Sequence, residues 1–228
     1  MAYAPFDNSK TLSGTKIDFT VNPTFTEQKD LLWANAANRT KKDNPVKFTF
    51  NHALSRLGYS VKLKDAYSDA TITLKTITLA GSDDATKKAF YTEGTIDLSK
   101  ETKAAADLWK IPTPANKQNF EWFSGEKQLS KTDATENSNK EYLFVIPQDF
   151  SQTTGADELY VIVEYTINYS GVTTTMTSKV CKKLDRKFLQ GKAYTINLTI
   201  GLTPIEFNAD VTEWEIPTDG AIDINTWE

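Results

Sequence analysis

The sequence predicts an all-β protein built as an antiparallel sandwich. Three observations predict it. Apolar residues recur at every second position over much of the chain, which places them on one face of a sheet. The alternating runs are short and separated by Gly, Pro, Asn and Ser clusters, the spacing of turns between strands. No long stretch has the 3.6-residue period of an amphipathic helix, so the strands have no helical layer to pack on and must pack on one another.

The runs read in order. Ile17, Phe19 and Val21 alternate with Lys16, Asp18 and Thr20. Val46, Phe48 and Phe50 alternate with Lys47 and Thr49. Tyr59, Val61 and Leu63 follow, with Lys62 and Lys64 facing out. Ile72 and Leu74 are even-numbered, whereas Ile77 and Leu79 are odd. One extra residue flips the pattern, so the run predicts a β-bulge between Leu74 and Ile77.

Residues 82–140 are less regular. They hold a short helical pattern around Glu101–Trp109, the turn Pro112-Thr-Pro114 and the polar stretch Ser130–Lys140, which read as long rim loops. Tyr142-Leu-Phe-Val-Ile146 is apolar on both faces, the pattern of a central buried strand, and Pro147 ends it.

The last third is the most regular. Leu159, Val161, Val163, Tyr165, Ile167 and Tyr169 alternate. Ser170-Gly171 makes a turn, and Val172, Thr174, Met176 and Val180 return as the partner strand of a hairpin. Gly191 precedes Tyr194, Ile196, Leu198 and Ile200, and Ile205, Phe207, Ala209 and Val211 form a further run.

Composition excludes several function classes. The chain has 228 residues, enough to bury a core without disulfides or metals. Its net charge is -4, with both signs interspersed, so it offers no basic stripe to nucleic acid. The pairs Lys41-Lys42, Lys87-Lys88 and Lys182-Lys183 read as solvated charges. The single cysteine, Cys181, cannot form an internal disulfide, and its strand-like setting predicts a small buried apolar residue. No stretch reaches the roughly 18 apolar residues of a membrane-spanning helix.

Catalytic signatures are missing. There is one histidine, His52, too few partners for a zinc site, no G-x-S-x-G and no Gly-rich phosphate loop. His52 follows a strand-like run and is expected to be hydrogen-bonded near a strand end. Asp83-Asp84, and Asp219 with Asp223, have no EF-hand spacing and read as solvated loops. The reading is therefore of a non-enzymatic protein without cofactor or metal. Of the tryptophans, Trp33 and Trp214 fit core packing. Trp109, Trp122 and Trp227 lie in loop-like or terminal segments, and Trp109 and Trp122 are candidates for a sugar-stacking platform. A carbohydrate- or host-ligand-binding module on the cell surface is thus an alternative to a structural role.

Four blocks, in order, resemble the Mfa-like fimbrillin family of Gram-negative gut and oral anaerobes. Gln28-Lys-Asp30-Leu-Leu-Trp33-Ala34 is similar to its Q-x-DLLWA block. Val46-Lys-Phe48-Thr-Phe50-Asn-His52-Ala-Leu54-Ser-Arg-Leu57 is similar to V-x-L-x-F-x-HALS-x-I, with Phe48 and Leu57 as mild departures. Phe144-Val-Ile146-Pro147-Gln148 resembles L-I-P-Q. Gly191-Lys192-Ala-Tyr194-Thr-Ile-Asn-Leu198, with Ile205-Glu-Phe207 and Val211-Thr-Glu-Trp214, resembles the closing W-x-x-G-K-x-Y-x-Y-x-L … I-x-F … V-x-x-W.

The resemblance implies a lipoprotein precursor with two β-sandwich domains, the first transthyretin-like, displayed on the outer membrane or in a fimbria. Ala2-Tyr3-Ala4-Pro5 resembles a Y-A-Y-x-P segment well inside that first domain. On this reading residues 1–43 are the tail of the first domain and 44–228 the complete second domain, and leader and lipid anchor lie outside the chain. The implied partners are other copies or related fimbrial subunits, with a host or bacterial surface ligand as a further one. The implied assembly is strand donation, in which one subunit's strand fills another's incomplete sandwich. The candidate donor is the terminal segment with Ile222, Ile224 and Trp227, whose two isoleucines would enter a groove together. The competing reading of that segment is an ordinary last strand of its own domain.

Overall fold

The computed structural model describes all residues except 8–12, 37–38, 41–44, 101–107, 138–140, 152–156, 203–205 and 214–228, with backbone alone over 206–213. Its strands are β1 (Ala2–Ala4), β2 (Lys16–Thr20), β3 (Leu32–Ala34), β4 (Asn51–His52), β5 (Ser55–Leu63) and β6 (Ala70–Ala80). Next come β7 (Phe90–Tyr91), β8 (Glu93–Asp97), β9 (Trp109–Lys110), β10 (Lys117–Gln118), β11 (Phe120–Gln128) and β12 (Thr135–Glu136). The chain continues with β13 (Leu143–Val145), β14 (Gln148–Asp149), β15 (Tyr160–Tyr169), β16 (Met176–Lys183), β17 (Lys187–Phe188), β18 (Lys192–Ile200) and β19 (Glu206–Glu213).

Two large sheets form the sandwich. One has the order β11-β6-β15-β16, and the other has β12-β5-β18-β19 with β13 also paired to β5. All ladders are antiparallel except β5 with β18. Four smaller sheets accompany them: the three-stranded β1-β3-β4 and β2-β8-β9 and the two-stranded β7-β10 and β14-β17.

The period-two pattern does its work where a strand has a facing layer. Val61, Leu74, Val163, Ile196 and Leu198 point into one continuous core. The bulge expected between Leu74 and Ile77 is present. Glu164 pairs with Thr76 and Tyr165 with Leu74, which leaves Lys75 unpaired in the ladder. The extra residue lets both Leu74 and Ile77 face inward.

Several expectations need correction. Val46, Phe48 and Phe50 do not form a strand; only Asn51–His52 does. With no pairing partner, alternation alone leaves Val46 and Phe48 exposed. Leu143, Val145 and Ile146 are buried while Tyr142 and Phe144 are only partly so, and the strand is not central: among the described residues β13 pairs with β5 alone, beside β12. Val172 and Thr174 precede the return strand, which begins at Met176. Cys181 is exposed rather than buried, because β16 is an edge strand with little packed on either face. The helix expected around Glu101–Trp109 falls mainly on residues outside those described, and Trp109 itself lies in β9.

The N-terminal segment shares the core of the rest. Ile17, Val21, Leu31 and Trp33 belong to the same buried cluster as Leu54, Leu57 and Val145. β2 also pairs with β8 across the chain, Ile17 opposite Ile96 and Phe19 opposite Gly94. Ile17, Val21, Leu31 and Trp33 are thus packed into the body formed by the later residues.

Candidate functional site

A concavity lies where the N-terminal segment meets the sandwich. It is a cavity of about 270 Å³ between β2 and the extended stretch that precedes β3. Residues 17–22 border it on one side and 27–31 on the other. Ile17, Val21, Leu31, Leu54 and Phe144 supply apolar wall, and Asp7, Asp18, Glu27 and Asp30 outnumber Lys29 around it. Its volume is at the small end for ligand sites, which run about 300–1,000 Å³.

Gln28 bridges the cavity's two sides and the sandwich. Its Oε1 accepts the Phe144 N–H (2.7 Å), and its Nε2 donates to the Asn22 carbonyl (3.0 Å). In an antiparallel ladder successive N–H groups point to opposite sides. Phe144 lies between the β13 residues bonded to β5, so its N–H points to the outer edge and Gln28 satisfies it there.

Asp30 and His52 form a hydrogen-bonded pair through Oδ2 and Nδ1. His52 sits in β4, opposite Leu32 of β3, so the ladder brings it to Asp30. The expectation of a strand-end hydrogen bond for His52 is met by this pair. The Asp30 side chain is only 15% exposed, and Oδ1 has no hydrogen-bond partner among the described residues. Burial pushes the Asp30 carboxyl above its ordinary value of 3.8, against the opposing pull of His52 and the Arg56 charge.

That shift has a sign that can be tested. A raised folded-state value means the native protein binds more protons than the unfolded chain just above pH 3.8, so stability falls as pH rises through that interval. The Asp30→Asn variant lacks this dependence. Denaturant unfolding of the two proteins between about pH 4 and 6, below ordinary histidine titration, should give a difference in stability that moves in the variant's favour with rising pH. A difference that moves the other way would mean that His52 pairing dominates burial.

The tryptophans behave differently from the sugar-platform expectation. Trp122 lies in β11, not in a loop, and is 1% exposed. Its indole packs edge-on against Tyr59 at 5.0 Å, and Nε1 donates to the Glu141 carbonyl (2.9 Å). It therefore has no face for a ligand from solvent, and that expectation is corrected. Trp109 is half-buried in β9, edge-on to Phe19, with Nε1 donating to the Ala53 carbonyl (2.9 Å). The two indoles serve different packing sites and do not make one platform. Ile222, Ile224 and Trp227 lie outside the described residues. The Asp84 carboxylate is used by its own turn, where Ser82 Oγ and the Thr86 N–H donate to it and hold it down to about 2. Sequence reasoning missed the cavity, although Gln28 and Asp30 lie in a block that it singled out.

A family model described as fimbrillin-like matches residues 1–214. The chain belongs to that family. Fimbrillin-like proteins are structural rather than enzymatic. The fold of this fimbrillin-like chain is also that of solved proteins. A fimbrial protein from Bacteroides vulgatus superposes with a TM-score of 0.66 at 22% identity, covering 92% of this chain and 75% of that one. A candidate cell adhesion protein from Bacteroides uniformis gives 0.50 at 20% identity, covering 93% and 71%. Another from Bacteroides ovatus gives 0.50 at 17%, covering 94% and 66%. At these identities the likeness is one of fold. No curated protein matches the chain.

Proposed function

We propose that this fimbrillin-like chain is a structural or adhesive subunit of a bacterial surface fimbria, joined to its neighbours by strand donation. The observation that carries the reading is the family match over residues 1–214. The likeness in fold to a fimbrial protein and to two candidate cell adhesion proteins supports it. So does the sandwich itself, whose strand edges offer unpaired backbone groups to an added strand. Contacts between unlike surfaces of successive copies generate an open fibre instead of a closed ring. Display at the cell surface, on the outer membrane through a lipid anchor outside this chain, belongs to the same proposal.

Residues 1–43 are, on this reading, the closing part of a preceding β domain. They dock on the 44–228 body through Ile17, Val21, Leu31 and Trp33.

The donor is the segment of Ile222, Ile224 and Trp227, after the Pro217 and Gly220 breaks. Deleting residues 220–228 should abolish fibres on the producing cell, as seen by electron microscopy. The purified chain should keep its circular-dichroism spectrum and cooperative melting. Fibres that persist, or a truncated chain that unfolds, would remove this segment from the donor role.

A further inference from the structure

We draw no further inference here: the strongest candidate, the acid-rimmed apolar cavity between β2 and residues 27–31, belongs to the site already described, and nothing in the structure shows what covers it.

Discussion

Residues 44–228 expressed without residues 1–43 should fail to fold cooperatively. The deletion removes Ile17, Val21, Leu31 and Trp33, each no more than 3% exposed, from the shared core. Burying one aliphatic side chain contributes about 1.5–3 kcal/mol, so the three aliphatic residues alone account for roughly 5–9 kcal/mol. That is comparable with the whole stability of a typical domain, about 5–15 kcal/mol. The deletion also strips β8 of one of its two antiparallel partners and Phe144 of the Gln28 acceptor. A backbone N–H donor left unsatisfied on that partly buried strand costs up to about 1–3 kcal/mol more. The check is the thermal melt of the shortened chain beside the full one. A sharp transition near that of the full chain would show that 44–228 holds together by itself. The segment would then be a separable arm rather than part of the body.

Trp122→Ala should be the most damaging single substitution among those considered. The indole is 1% exposed, and its replacement by a methyl group leaves a cavity that the rigid sheets close only in part. Large aromatic-to-alanine changes in cores cost about 3–5 kcal/mol. Two specific terms add to the general one. The edge-on contact with Tyr59 at 5.0 Å is lost, and the Glu141 carbonyl loses its 2.9 Å donor. Trp122→Phe separates these effects, since it keeps most of the volume and loses the N–H. Urea unfolding should rank wild type above Trp122→Phe, and that above Trp122→Ala. If alanine at this position left the midpoint nearly unchanged, the indole would have to be solvent-facing in solution, and a sugar platform would regain its basis. The same substitution therefore tests both the packing and the rejected ligand role.

Legibility in the sequence follows burial. β15 and β18 are covered by an opposing layer, and their alternating residues, from Val161 to Ile167 and from Tyr194 to Ile200, could be read directly. The bulge at Lys75 was equally legible, because a change of parity has few other causes. The failures share one reason. Val46, Phe48 and Cys181 sit in patterns like those of buried strands, but a pattern does not say whether a second layer lies above it. Trp122 failed in the opposite direction, since its neighbours Glu121 and Phe123 look loop-like while the strand buries only alternate residues.

The candidate cavity was the least legible feature. Its walls come from residues near 5, 17–22, 27–31, 54 and 144, and no spacing rule links such separated stretches. Its position beside β2 is a matter of which strands pair. That depends on loop closure and on competition between partners across the whole chain.

The amino-acid sequence alone determined that this protein is of the all-β class and that four ordered blocks resemble a fimbrillin. Those properties are local, set by side-chain period and residue type. Only the tertiary structure decided which strands stand at edges, which tryptophans are hidden, and that Ile17, Val21, Leu31 and Trp33 share one core with the rest. Backbone hydrogen bonds are satisfied between segments distant in sequence, so an unpaired edge comes into being only when every other pairing has been made.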